Sequence, residues 1–441
     1  MLWGTKARTP RHGEVATIFA KSSTMNWLCC QLGAREHYAI PRALFRRSML
    51  DCFVTDAWVP PWSFLAKLSG SRLADRFHAE LHDAPVIAFN SSLILFELLA
   101  RVHRLGDWRK IIARNLWFQR KIVSFLRSHV STLNSQPILL SYSYTALELF
   151  RYAKSRGWKT VLVQIDPGPE EERIVAEEVA RVPELAGDWQ PAPAEYWASW
   201  RKECDLADRI VINSEWSRES LMRSGVPAEK LLVIPLAYEA PAAFDKSRVA
   251  KELKGQQSEV RYARTYPVRF TKERPVRVLF LGQVNLRKGI ARLLDVARIL
   301  RDEPVEFWIV GRVQVTNATP ITRDARVKWF GPVTQTQAAE KYQAADVFIL
   351  PTLSDGFAIT QLEAQSYGLP IITSRFCGRV VEGGRNGIVL EEPNAACIAA
   401  AIRDCVADPT LLEQFAAASR LPHGFTIDAF AQRLVELGAV L

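Results

Sequence analysis

The sequence predicts an α/β protein with two domains, each built on a parallel sheet. Three observations carry this. From Asn26 onward, short apolar runs alternate with amphipathic segments, which is the pattern of βαβ units and a parallel sheet. A polar stretch over 239–274 breaks that rhythm, which then restarts and runs nearly to the last residue. The length of 441 residues suggests two or three domains at roughly 150 residues each.

Residues 1–24 are polar and basic without periodicity, and are expected to be a disordered tail or an upstream start before Met25. The first domain is expected over 25–238. Its strands are expected at Trp27–Gln31, Cys52–Thr55, Pro85–Phe89, Pro137–Leu140, Lys159–Ile165, Arg209–Ile212 and Leu231–Pro235, with helices such as Ala146–Arg156 and Ser217–Ser224 between them. The stretch 239–274 carries Lys246, Arg248, Lys251 and Lys254 without an apolar stripe, which fits a surface linker. The second domain, 275–425, restarts with a strand at Val276–Gly282 and a helix at Gly289–Leu300. Further strands follow at Val305–Gly311, Arg326–Phe330, Asp346–Pro351, Pro370–Thr373 and Gly387–Leu390. Helices Thr336–Ala344, Ile359–Tyr367 and Ala395–Asp404 lie between them. The segment 426–441 holds one amphipathic helix, Ile427–Leu437.

Composition narrows the class. With 48% hydrophobic and 24% charged residues, the chain is an ordinary globular protein and not a disordered, collagenous or coiled-coil one. No run of about 18 uncharged apolar residues occurs, so no transmembrane helix is expected. Met1–Met25 lacks the apolar core of a signal peptide. Seven cysteines without a C-x-x-C pair suit reduced thiols in the cytoplasm. The formal net charge is +10, and residues 1–130 hold all of it, with 19 Lys/Arg against 9 Asp/Glu.

Two strand–loop–helix segments of the second domain carry the clearest chemistry. In an open α/β sheet such loops sit at the carboxyl ends of the strands, where ligands bind. The first is Pro351-Thr-Leu-Ser-Asp-Gly-Phe-Ala-Ile-Thr-Gln-Leu-Glu363. With a helix opening near Ala358, the amides of Gly356, Phe357, Ala358 and Ile359 would form an anion site. Asp355 and Glu363 would flank one ligand, where carboxylates suit sugar or ribose hydroxyls. The plainer alternative makes Asp355 an N-cap and Glu363 a solvated helix residue. The second segment runs Phe280-Leu-Gly-Gln-Val-Asn-Leu-Arg-Lys-Gly289. Arg287 and Lys288 open a helix there against its macrodipole, so either an anion offsets them or the turn is simply basic and solvated.

Together these segments resemble the donor-binding half of the family 4 (group 1) glycosyltransferases, which have the GT-B fold of two Rossmann-like domains facing a cleft. Asp355-Gly-Phe through Glu363-Ala, then Gly368-Leu-Pro-Ile-Ile, is similar to the family's E-x7-E signature, with Asp in the first acidic place. Gly282 through Lys288-Gly289 is similar to its G-R-x(n)-K-G loop, with Gln283 where Arg is usual. Tyr342–Pro351, Lys328-Trp-Phe-Gly-Pro-Val333, Ile210–Ser214 and Val233–Leu236 extend the resemblance over roughly Trp27–Leu441, most clearly after Arg209. The resemblance implies that Lys288 holds the donor's diphosphate, with Arg287 a candidate second cation. Asp355 would contact hydroxyls of the transferred sugar, and Glu363 the ribose. Gly356, Phe357 and Ala358 would offer amides, while Gly282, Gln283 and Val333 line the donor site. It implies retention of anomeric configuration. No D-x-D triplet occurs, so no metal and no cofactor are expected.

The acceptor side is less determined. Gly33 lies in a loop that faces the interdomain cleft in the family. His37 reads either as a base or as a polar helix residue. Tyr142 stands near where many relatives carry a histidine. Asp166 either binds acceptor or forms the turn before Pro167. His78-Ala-Glu-Leu-His82 places two histidines four apart, but the metalloprotease pattern needs Glu directly after the first. Residues 97–127 interleave eight Lys/Arg with Trp108, Trp117, Phe118 and Phe125. Such a segment suits an anionic membrane surface, or else a helix covering the first sheet. Nucleic acid is not expected, because no zinc-finger spacing or RNA-binding motif occurs.

The sequence therefore predicts a cytoplasmic enzyme, peripheral at the inner membrane face. It would move a hexose from a nucleoside-diphosphate sugar to a glycan or lipid-linked acceptor in surface polysaccharide or glycolipid synthesis. A same-fold nucleotide-sugar hydrolase or epimerase and a non-catalytic sugar-nucleotide-binding scaffold are the alternatives.

Overall fold

The structure, a computed structural model, describes residues 26–63, 66, 76–129, 136–239, 264–316 and 324–441. The 1–24 tail and most of the 239–274 stretch lie outside the described residues.

Two sheets organise the described chain, and all their strand pairs are parallel. The first contains β1 (Trp27–Gln31), β2 (Leu50–Thr55), β3 (Val86–Ala88), β4 (Ile138–Tyr142), β5 (Thr160–Val163), β6 (Arg209–Ile212) and β7 (Leu231–Val233). Their order is β3-β2-β1-β4-β5-β6-β7. The second contains β8 (Val276–Leu281), β9 (Val305–Val310), β10 (Val327–Gly331), β11 (Val347–Leu350), β12 (Ile371–Ser374) and β13 (Gly387–Leu390), in the order β10-β9-β8-β11-β12-β13. In each sheet the chain first builds outward from one central strand and then returns to its other side. The reversal falls between β1 and β4, and again between β8 and β11. A crevice opens at the carboxyl ends of the strands at such a point.

Helices cover both faces of each sheet, which is why the strands read as nearly continuous apolar runs. Along β1 the side chains alternate. Leu28 and Cys30 enter a core with Phe118, Ile122, Leu149 and Trp200. Trp27 and Cys29 enter another with Ile40, Leu44, Phe430 and Leu434. That second core joins the helix Ala39–Arg46 to the helix Ile427–Ala439, so the last helix of the chain packs on the first sheet. Thr426 caps it by accepting from the Ala429 amide at 3.3 Å, satisfying one of the amides a helix start leaves free.

Local departures from the sequence expectations have local causes. The basic stretch 97–127 is not one helix. Asn90–Val102 and Asp107–His129 are separate, split where Arg104 takes a left-handed φ of 48° just before Gly106. The His78–His82 segment forms only a three-residue 3-10 turn, Ala79–Leu81, with His78 accepting from the Glu80 amide. The helix Pro169–Arg181 was not anticipated beyond its turn residues. Pro169 at its start, Glu170, Glu171 and Glu172 in its first turn and Arg181 in its last all suit a helix and its dipole.

Candidate active site

The loops after β8 and β11 meet at the reversal point of the second sheet. Asn285 accepts from the Lys288 amide at 3.1 Å and sets a short turn, Leu286–Lys288. Gly289 ends that turn with φ 78°. A Cβ there would stand 2.0 Å from the Pro351 carbonyl oxygen, so only glycine lets the two loops cross this closely. The Arg287 carbonyl accepts from the Leu353 amide at 2.9 Å and the Thr352 hydroxyl at 3.1 Å. These bonds fix both basic side chains beside Asp355. The Lys288 ammonium pairs with Asp355 Oδ2, and Arg287 Nη1 lies 3.1 Å from the same oxygen. The other oxygen, Oδ1, accepts from the Phe357 amide at 3.1 Å. Burial alone would raise the Asp355 carboxyl, but the charges of Lys288 and Arg287 outweigh it and hold the group at about 2. It is an anion near neutral pH.

The signature loop differs from its expected form in one respect. The helix opens at Thr360, and Ala358 precedes it with φ 65°. The Phe357 amide is taken by Asp355, and the Phe357 ring packs among Leu236, Tyr238, Leu362 and Val380. Phe357 is therefore a core residue, and its amide does not face outward as expected. Glu363 is half-buried on the helix Thr360–Ser366. Its Oε2 accepts from the Tyr342 hydroxyl at 2.8 Å. Burial raises its carboxyl, while the Tyr342 hydrogen bond and the charge of His37 lower it. His37 of the first domain thus lies within electrostatic reach of Glu363. Val333 packs at the edge of the core around Trp308 and Tyr342. Gln283 is exposed. A Cβ on Gly282 would meet open space, so the end of β8 borders an unfilled volume.

The acceptor-side residues are distributed less simply. Glu36, His37 and Tyr38 adopt successive left-handed φ values of 52°, 50° and 60°. Each such non-glycine residue stores roughly 1 kcal/mol or more of strain. His37 is therefore exposed on a strained turn and not on the helix expected there, which opens at Ala39. The Tyr142 hydroxyl is buried and donates to Glu36 Oε2 at 3.0 Å. Burial holds it protonated well above its ordinary range, so that hydroxyl is already committed. The Gly33 amide donates to the buried Asp56 at 3.0 Å, and Asp56 also pairs with Arg76 and Arg114. Asp166 Oδ1 accepts from the Tyr144 hydroxyl at 2.6 Å, Gln164 at 2.9 Å and the Gly168 amide at 2.9 Å. The last bond is the turn-forming role weighed for Asp166.

The fold adds residues that sequence reading missed. Glu171, at the start of the helix Pro169–Arg181, reaches from the first domain to the loops after β8 and β11. Its Oε2 accepts from the Ser354 hydroxyl at 3.2 Å and lies 3.5 Å from Arg287 Nη1. Trp216 Nε1 donates to Ser354 Oγ at 3.0 Å, and Ser217 to the Gly356 carbonyl at 3.4 Å. A Cβ on Gly356 would lie 2.3 Å from the Ile165 carbonyl oxygen. The signature loop is thus seated directly on the first domain. The one sequence signal for Glu171 was the acidic run after Pro169, which reads equally well as ordinary helix-start chemistry.

Comparison with known proteins completes the picture. Residues 275–408 match the family model described as Glycosyl transferases group 1. A D-inositol 3-phosphate glycosyltransferase of Pseudarthrobacter chlorophenolicus is 31% identical over 145 residues, covering 30% of this chain and 34% of that protein. One from Geodermatophilus obscurus is 28% identical over 225 residues, covering 47% of each. The chain thus spans about half or less of the length of these curated relatives. The crystal structure of Anabaena Alr3699/HepE in complex with UDP-glucose aligns with a TM-score of 0.57 at 15% identity, covering 94% of this chain and 100% of that one. That likeness shows a shared fold, the two-domain GT-B architecture.

Proposed function

From the premise that residues 275–408 form a group 1 glycosyltransferase domain within a GT-B fold, we propose that this chain is a retaining glycosyltransferase. It transfers a hexose from a nucleoside-diphosphate sugar to a glycan or lipid-linked acceptor. The observation that carries this reading is the convergence of Lys288, Arg287 and Asp355 at the reversal point of the donor sheet, against the first domain. Cleaving the bond between the anomeric carbon and the diphosphate builds negative charge on the leaving oxygen. Two fixed cations stabilise that charge in the transition state.

Asp355 pairs with both cations. An arriving diphosphate takes them over, and the freed carboxylate turns to hydroxyls of the transferred sugar. Arg287 stands in for the missing cation at Gln283. Glu363 keeps Tyr342 on one oxygen and offers the other to the ribose. With no protein nucleophile in the scheme, the leaving phosphate accepts the acceptor's proton, on the face the new bond forms. Seating the signature loop on the first domain keeps water, which would hydrolyse the donor, out of the reaction. Mass-spectrometric product analysis over a panel of nucleotide sugars tests the reading. Turnover that needs an added acceptor supports it, turnover without one supports a hydrolase or epimerase, and binding without turnover supports a scaffold.

We propose that the acceptor lies at an anionic membrane face, in surface polysaccharide or glycolipid synthesis. This is supported by the helix Asn90–Val102, whose Ile94, Leu95, Leu98, Leu99 and Val102 share one exposed apolar face. Arg101, Arg104, Arg109, Arg120, Lys121 and Arg127 are exposed on this helix, the turn after it and the next helix. An apolar stripe with flanking cations is the composition of a helix lying in a lipid interface. No helix among the described residues is long and apolar enough to cross a membrane.

A further inference from the structure

The four charges at the domain seam cancel in pairs. Lys288 and Arg287 supply two positive charges, and Asp355 and Glu171 two negative ones. A diphosphate entering that site meets no net attraction unless one carboxylate gives way. The two carboxylates differ in origin. Asp355 belongs to the donor domain and is free to turn to the sugar. Glu171 belongs to the first domain and has no part in the donor chemistry described so far.

Its geometry is specific. One guanidinium nitrogen, Arg287 Nη1, lies 3.5 Å from Glu171 Oε2, 3.1 Å from Asp355 Oδ2 and 3.3 Å from the Ser354 carbonyl. The Ser354 hydroxyl, itself accepting from Trp216, orients Glu171. The neighbouring Glu170 turns away to Arg173 and Arg223. Resting on the reading of Arg287 as a diphosphate cation, we infer that Glu171 is a positioning residue that competes with the donor diphosphate for Arg287. Donor arrival and release of Arg287 from the acceptor domain are then one event.

The displaced carboxylate, with only 16% of its side chain exposed, is poorly solvated as an unpaired anion. Burial pushes Glu171 up to about 7, with Asp166 and Asp355 adding to the rise, while Arg287 and the Ser354 hydroxyl oppose it. Those groups, with Lys288 behind Asp355, are the charges that face it from the donor loop, the signature loop and the turn before its own helix. Glu171 therefore takes one proton from solvent as the diphosphate binds. The cost of that proton grows as pH rises above about 7, so wild-type affinity falls on the alkaline side.

Calorimetric titration of the full chain with uridine, guanosine and adenosine diphosphates at pH 6 and pH 8 tests this, using Glu171→Gln and Lys288→Ala. Glu171→Gln is expected to bind about tenfold tighter than wild type at pH 8 and about equally at pH 6, the factor that one pH unit of proton uptake carries. Taking the ratio to wild type removes the ligand's own protonation. Titration in two buffers of different ionisation heat should show proton uptake by wild type at pH 8 and none in the variant. A ratio independent of pH, or weaker binding at both pH values, overturns the inference. The two readings fail differently. If no diphosphate binds wild type, the donor site falls and this inference with it. If a diphosphate binds and Lys288→Ala weakens it, yet Glu171→Gln and pH do not matter, only the role of Glu171 falls.

Discussion

Lys288 and Asp355 are 67 residues apart in the chain and share one ion pair at the candidate active site. On the proposed assignment Lys288→Ala removes the cation that faces the leaving phosphate, and a lost transition-state contact of this kind is expected to cost about 100-fold or more in kcat. Glu363→Ala is expected to weaken donor binding and turnover together. Near-normal turnover in both variants, measured on the panel's best donor, would refute the site assignment. Asp355 also makes a stability prediction whose sign follows from its depressed pKa. It ionises at about 2 in the fold against about 3.9 in an unfolded chain. Its stabilisation, on the order of 2 kcal/mol, is complete above about pH 4 and is lost as pH falls through about 2. Urea unfolding of wild type and Asp355→Asn should differ by that amount near neutral pH and converge near pH 2. A constant difference would show that the carboxylate's charge is not what stabilises it.

At the scale of the element, the helix Asn90–Val102 carries the sharpest consequence. Its exposed Leu95 and Leu98 contribute nothing to either core, so Leu95→Asp with Leu98→Asp should leave the melting temperature within about 2 °C while reducing sedimentation with anionic vesicles several-fold. Equal sedimentation with anionic and neutral vesicles, or none, sinks the membrane reading. The structure distributes the features of that stretch differently from the sequence expectation. Charge content pointed to 97–127, but a left-handed Arg104 splits that stretch. The apolar face begins at residue 94, upstream of most of the charge. The signature loop gives a second instance. Its helix was legible, but its first turn was not. Ala358 adopts a conformation normally left to glycine, because the tertiary seating of Gly356 against Ile165 outweighs the local preference.

For the whole molecule, the last helix ties the second half of the chain to the first. Ile427, Phe430, Leu434 and Leu437 are buried against Ile40, Ala43 and Leu44. Each such side chain contributes about 2 kcal/mol, so deletion of 427–441 should cost roughly 8 kcal/mol. That is comparable to the entire stability of a domain. Circular dichroism and limited proteolysis of the truncated chain are expected to show the first domain unfolded or cleaved. A first domain that melts as in wild type would mean the helix is dispensable to it.

Composition and periodicity alone determined the α/β class, the parallel strands, their approximate bounds and the two loop–helix segments that carry Lys288, Asp355 and Glu363. Those are local properties, because strand and helix periods and glycine-bracketed turns are written in neighbouring residues. Only the tertiary structure decided which groups stand together. It tied Tyr142 to Glu36 and the Gly33 amide to Asp56, and it left His37 on a strained turn. It also brought Glu171 across 116 residues of sequence to Arg287. Charge pairing depends on distance through space and on exclusion of water, and neither is set until the two sheets and their loops are packed together.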